Sequence, residues 1–227
     1  MRHLLRTTSR LLRPRIVSFP KYPVCSSLTC QRSLSSIDES DYAAMKFRET
    51  LSSDEAIVFD VSSEVFERFV SPTMFSEGCY RLSFLTTCLL DDMFGITVEP
   101  VVGYCCDGED DLMFSHAWVE MNGKKIDLSL LYNAPHLKIK PGEVLILDHV
   151  LMRGVKHTYH RERTPEAIEY INAAMEDPDM KERIEKQITL HRNMVEISRS
   201  LPLMRIYLDN CTDGITYLKL RQRILQI

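Results

Sequence analysis

The chain has 227 residues, 44% of them hydrophobic and 26% charged, with a formal net charge of −4. That is ordinary globular composition, with room for one or two domains and a sizeable core. No stretch approaches about 18 consecutive apolar residues, which excludes a membrane-spanning helix on sequence grounds. Seven cysteines without a Cys-x-x-Cys pair point to reduced thiols rather than a disulfide framework.

The charge is unevenly spread. Residues 1–37 carry seven Lys or Arg and no Asp or Glu, which leaves 21 basic against 32 acidic residues in the remainder, a balance of −11. An acidic body lacks the clustered basic surface that nucleic-acid binding needs. The front end, Met1-Arg2-His3-Leu4-Leu5-Arg6 followed by Arg10, Leu11, Leu12, Arg13 and Arg15, is Arg-rich, Ser-rich and acid-free. Residues 1–36 therefore read as a transit peptide of mitochondrial type, with the matrix as destination. Arg32-Ser33-Leu34-Ser35-Ser36 resembles a matrix-processing site. Plastid import, or a basic arm for anionic lipid or nucleic acid, are the alternatives. Arginines and prolines interrupt the apolar run that a secretory signal requires.

Residues 37–163 read as one α+β domain. Asp38 to Leu51 and Ser62 to Val70 have helical character, with Ser62-Ser63-Glu64 as capping groups. Next, Leu82, Leu85, Leu89 and Met93, with Leu90 beside them, recur at helical spacing and predict a helix with one buried stripe. Cys79 falls in its first turn. Unpaired N–H groups and the positive end of the helix dipole there favour thiolate over thiol. Gly78 permits a sharp bend before the helix, whereas Glu77 opposes thiolate formation unless it points away. A cysteine taken alone is more often a small buried hydrophobe. Gly95-Ile96 ends the helix, and Pro100-Val101-Val102-Gly103-Tyr104 follows as a strand. Cys105-Cys106, before the acidic residues Asp107 to Asp111, offers a metal site with His116 only against the ordinary four-ligand spacing.

From Met113 to Met121 polar and apolar residues alternate, and Asn122-Gly123 is a two-residue hairpin signal. That turn pairs Met121 with Lys124, Glu120 with Lys125, Trp118 with Asp127 and His116 with Ser129. The period of two then puts His116, Trp118, Glu120, Lys125, Asp127 and Ser129 on one face. His116 and Asp127 become diagonal neighbours, as an imidazole oriented by a carboxylate requires. Glu120 and Lys125 are expected to form a surface ion pair.

These residues carry a resemblance. Gly78-Cys79, the leucine-rich helix to Gly95-Ile96, the Pro100 to Tyr104 strand, and His116-Ala117-Trp118-Val119-Glu120 followed by Asp127 resemble the transglutaminase-like superfamily of papain-fold thiol enzymes. The closest flavour is the small microbial-type domains with a short histidine-to-aspartate hairpin, including leader-peptide proteases of lasso-peptide maturation. The likeness spans roughly residues 76–130 and implies Cys79 as nucleophile, His116 as general base and acid, and Asp127 as orienting group. The implied fold is a papain/transglutaminase-like α+β core, with helices packed on an antiparallel sheet. Leu128-Ser129 stands where the family usually has Pro-Thr. The Arg-Gly-Gly-Cys run of arylamine N-acetyltransferases is missing, which disfavours acetyl transfer. Trp118 is a candidate wall for substrate, although cross-strand aromatic packing is its commoner use.

Beyond the hairpin, Lys140-Pro141-Gly142-Glu143 is a turn, and Val144 to Tyr159 suits one or two further strands. His136, His149, His157 and His160 lack partners at metal-site spacing and read as ordinary polar side chains. Residues 164–227 form a helical C-terminal extension. Pro165 follows Thr164 at a first helical position, a second helix starts around Asp177-Pro178 and runs past His191 to Ser200, and Pro202 breaks it. Thr212-Asp213-Gly214 precedes a last helix bearing Leu218, Leu220 and Leu225. Those helices pack as a cap on the core or serve as an arm for a protein partner.

The expectation is a thiol-dependent acyl-transfer enzyme, an amide or peptide hydrolase or an amine acyltransferase. It works through a Cys79-His116-Asp127 triad, needs no cofactor or metal, and acts on a peptide, protein or small acyl substrate. The competing class is a catalytically inactive scaffold of the same fold that binds protein partners in the mitochondrion.

Overall fold

The computed structural model describes residues 39–76, 78–108, 112–132, 139–211 and 213–225; the expected transit peptide lies outside them. The architecture is α+β. Three helical segments, α1 (Glu39–Glu49), α2 (Ser53–Val65) and the short α3 (Ser71–Thr73), precede α4 (Cys79–Phe94). The strands follow as β1 (Glu99–Cys106), β2 (Phe114–Met121), β3 (Lys124–Asp127), β4 (Val144–Ile146), β5 (His149–Met152) and β6 (Thr158–His160). The chain then continues as α5 (Pro165–Ala174), α6 (Pro178–Ser198), α7 (Leu201–Asp209) and α8 (Tyr217–Leu225).

α2 begins earlier than the capping pattern at Ser62-Ser63-Glu64 predicts. Ser52 is its N-cap, and Ser52 and Glu55 form a reciprocal capping box that satisfies two backbone donors at once. Ser62 and Ser63 instead lie inside the helix, their hydroxyls buried without a hydrogen-bond partner among the described residues. A π-helical turn at Phe66–Val70 then re-aims the chain into α3. α4 ends at Gly95, which adopts φ 64° and returns its N–H to Asp91 and Leu90. Only glycine takes that left-handed cap without strain. Met93, expected in the buried stripe, is half-buried, while Leu82, Leu85, Leu89 and Leu90 are buried.

The six strands form one antiparallel sheet in the order β5-β4-β3-β2-β1-β6, curled into a half-barrel. At the β2–β3 hairpin Met121 pairs with Lys124, Glu120 with Lys125 and Val119 with Ile126; Asn122 and Gly123 take φ 53° and 77°, as a type I′ turn demands. Ile126 in turn opposes Ile146. Val119, Ile126 and Ile146 thus form a row that joins Leu82, Leu85 and Leu89 of α4 in the main core. The C-terminal helices join the same core through Met194, Met204, Leu208, Leu220 and Ile224. α6 already ends at Ser198, and Pro202 sits in the first turn of α7, where a missing N–H costs nothing.

The opposite face of the sheet is also filled. Trp118 is 1% exposed, and its ring meets Tyr159 edge-on at 5.2 Å between centroids. Gly103 on β1 makes room for it, because a Cβ there would lie 2.7 Å from the indole and 2.4 Å from the His160 carbonyl. Glu120 does not pair with Lys125. It accepts from Trp118 Nε1 at 2.7 Å and from Arg161 at 2.7 Å, while Lys125 reaches Asp148 at 3.0 Å. The Arg161 guanidinium also forks onto Glu99 and so ties the adjacent ends of β1 and β2 with a geometry that a lysine cannot match.

Gly103→Ala should overpack this layer and destabilise the fold by about 1–3 kcal/mol, read as a lower urea midpoint with unchanged slope. An unaltered midpoint would mean that the indole is not held where this packing places it.

Candidate active site

Cys79 is the first residue of α4, and its N-cap, Gly78, provides no side-chain cap. The positive end of the helix therefore meets the sulfur without a capping side chain between them. The Phe75 ring packs against Gly78, where a Cβ would lie 1.9 Å from it, so a larger residue would have to displace that ring. The thiol is free and half-buried. Glu77, expected to oppose thiolate formation, lies outside the described residues.

His116 on β2 and Asp127 at the end of β3 are each 2% exposed, and His116 Nε2 lies 2.6 Å from Asp127 Oδ2. With Nε2 committed to Asp127, Nδ1 is the nitrogen left over, and Cys79 is near enough to favour the charged ring. Burial pulls the imidazole toward its neutral form. The Asp127 charge and hydrogen bond, with Cys79 adding to them, outweigh burial and raise the pKa to about 10. Asp127 shows the mirror image. Burial raises it, but the His116 charge and hydrogen bond, then the Ser129 backbone and hydroxyl, hold it below the usual carboxylate value. At neutral pH the pair is imidazolium and carboxylate.

The carboxylate is saturated. Oδ1 accepts from Ser129 N–H at 3.0 Å and Ser129 Oγ at 2.7 Å, while Oδ2 accepts from His116 and from the Tyr159 hydroxyl at 2.9 Å. Tyr159 stands on β6, and β2 and β1 lie between it and Asp127 on β3. In a flat sheet three strand spacings would separate them by roughly 14 Å, beyond a tyrosine's reach. The curl of the sheet closes that gap and makes the His116–Asp127 face concave.

A second polar chain holds the helix to the sheet. Tyr80 Oη and Ser115 Oγ are hydrogen-bonded at 2.6 Å, and Ser115 Oγ is 2.5 Å from His191 Nδ1 on α6. Tyr80 follows Cys79 and Ser115 precedes His116, so this link fixes the separation of sulfur and imidazole from one residue away on each side. The His191 ring stacks on Tyr104 at 4.4 Å, which carries the tether from the C-terminal helices onto β1.

Trp118 is packed beneath this site and buried, so its ring does not stand as an open substrate wall. Cys105 is fully buried and Cys106 contacts the Thr158 hydroxyl at 2.9 Å; they do not converge with His116. Burial pushes the Cys88 thiol up to about 12, as suits a core position. His149 stacks on Phe47, His157 donates to the Val155 carbonyl and His160 lies by Thr158, while His136 falls outside the described residues. Among the described residues no group of three or more His, Cys, Asp or Glu is placed to hold a metal ion.

The sequence singles out Cys79, His116 and Asp127 and sets Ser129 opposite His116, but gives no role to Tyr159, Tyr80, Ser115 and His191, which hydrogen-bond around them. Only Asp127-Leu128-Ser129 carries a local signal, since an aspartate two residues before a serine forms an Asx turn. The others come from distant elements.

In the folded chain His116 keeps its proton up to about pH 10, against an ordinary value of 6.5. Its pairing therefore stabilises fully below about pH 6.5 and loses that contribution as pH rises toward 10. Asp127, held below its ordinary 3.8, contributes fully above that value and loses its contribution as pH falls through the folded one. Urea titrations across this range should show the stability gap between wild type and Asp127→Asn narrowing above about pH 6.5. A constant gap would contradict the charged pair.

No family model, curated protein or solved structure matches this chain.

Proposed function

We propose that the protein is a thiol-dependent acyl-transfer enzyme of transglutaminase-like type, with Cys79 as nucleophile, His116 as acid and base, and Asp127 as orienting group. The observation that carries this reading is the buried His116–Asp127 pair, with Cys79 at the start of a helix that the Tyr80–Ser115 hydrogen bond ties to the strand of His116. Two buried ionisable groups are a poor way to build a core. They are an effective way to hold an imidazolium beside sulfur.

The chemistry follows from the parts. The Cys79 thiolate attacks the carbonyl carbon of an amide, peptide or thioester, and the carbonyl electron pair moves onto oxygen. The Cys79 N–H, unpaired within the first turn of α4, is one donor for that developing charge. Collapse expels the amine or thiol, which takes its proton from His116, and leaves a thioester on sulfur. Now neutral, His116 removes a proton from the water or amine that attacks the thioester. Release of the acid or new amide regenerates the charged pair. Throughout, Asp127 holds Nε2 as a donor, so Nδ1 is the nitrogen that exchanges protons. In this reading the site of action is the mitochondrial matrix, on the composition of residues 1–36.

With 4-nitrophenyl acetate the protein should release a burst of nitrophenolate and carry one acetyl group on Cys79 by mass spectrometry. Cys79→Ala should abolish both, and His116→Ala should slow acylation by about 10²–10⁴-fold. Turnover that survives in Cys79→Ala would refute the enzyme reading and leave a non-catalytic scaffold.

A further inference from the structure

A groove of about 580 Å³ opens beside Gly78, the residue before the nucleophile, between the start of α4 and helices α6 and α7. Its size is that of a site for one small ligand or a few residues of chain. Phe75, Ile197, Leu203, Ile206 and Tyr207 form its walls. Leu203 is 44% and Ile206 58% exposed, an arrangement that leaves large hydrocarbon in water along one edge. Tyr207 stands in the wall with its ring edge-on to Phe84 of α4 at 5.4 Å between centroids. Burial first, then the Cys211 and Cys79 charges, push its pKa up to about 12.

The polar groups of the groove are turned inward on the protein. Arg81 forks onto Asp213 at 2.5 and 3.1 Å and donates to the Ile215 carbonyl at 2.8 Å; its buried Nε alone lacks a partner among the described residues. Asn210 Nδ2 donates to the Ile206 carbonyl and Cys211 Sγ to the Tyr207 carbonyl. Arg81 and Asp213 cancel in charge, so among the described lining residues the groove offers an anionic group no uncompensated cation. A charged substrate arm would be desolvated there without a counter-charge.

We infer that this groove receives the acyl side of the substrate, and that this acyl group is uncharged and aliphatic, of the size of a medium acyl chain or a leucine-type residue. This rests on Cys79 being the nucleophile. An acyl group lying along Phe75 and Ile206 reaches Gly78, one residue before the sulfur-bearing Cys79. The preference comes from hydrocarbon burial, which adds to transition-state binding for every methylene the groove covers.

The experiment measures kcat/KM on 4-nitrophenyl esters of acetate, octanoate, N-acetyl-leucine and N-acetyl-glutamate. Octanoyl or leucyl should exceed acetyl by about tenfold or more, and glutamyl should not. Octanoyl ahead of leucyl identifies a free acyl chain as the source; leucyl ahead identifies a peptide. Ile206→Asp and Leu203→Asp should each collapse the ratio to acetyl. Ile168→Asp, at an exposed position on α5 away from the groove, should keep it. Equal rates across the four esters, or an unchanged ratio in both groove variants, would overturn the inference. Cleavage of the acetyl ester that depends on Cys79 would still stand in that event, so failure of the groove and failure of the nucleophile read differently.

Discussion

A carboxylate with no solvent left on it organises this molecule. Asp127 is buried and accepts hydrogen bonds from a neighbouring turn, from an imidazole one strand away and from a phenol three strands away. An isolated buried carboxylate would be neutralised or would unfold its surroundings. Here each donor relieves that cost, and each is also a geometric tie. Ser129 fixes how the chain leaves β3, Tyr159 draws the far edge of the sheet inward, and His116 is held in one orientation with Nε2 on the carboxylate. The charge that makes the fold expensive is the same charge that makes the imidazole a strong cation.

The surrounding structure supplies what the pair needs. The row of Val119, Ile126 and Ile146 seats α4 on one face, which brings the start of that helix to the start of β2. The link from Tyr80 to Ser115 then sets the remaining distance. His191 extends that tie into α6, so the C-terminal helices belong to the same mechanical unit as the hairpin. Arg81 does similar work nearby. By joining Asp213 and the Ile215 carbonyl to the first turn of α4, it holds the segment between α7 and α8 against the start of that helix and neutralises the groove in one arrangement.

Much of this could be read from the sequence where the signal is local. Asn122-Gly123 determines the hairpin register to the residue, because a two-residue turn with positive φ leaves no freedom to slip. The leucine spacing after Cys79 gives α4, and Gly95 its end. Competing local signals mislead at α2, where two serines at 62 and 63 resemble a cap and the true box at Ser52 and Glu55 lies ten residues earlier. The tyrosine on β6 and the histidine on α6 have no local signature. Their roles exist only once the sheet curls and the last third of the chain folds back. The Glu120 and Lys125 pair fails for the same reason, since Arg161 arrives from a distant loop with a better geometry for two carboxylates.

The central claim is that His116, charged by Asp127, activates Cys79. The most direct measurement is the rate of iodoacetamide alkylation at Cys79 near pH 6, in wild type, His116→Ala and Asp127→Asn. The account predicts that wild type reacts faster than either variant, on the order of a hundredfold, with the difference shrinking as pH rises toward 9.5. Equal rates in all three proteins at pH 6 would contradict it.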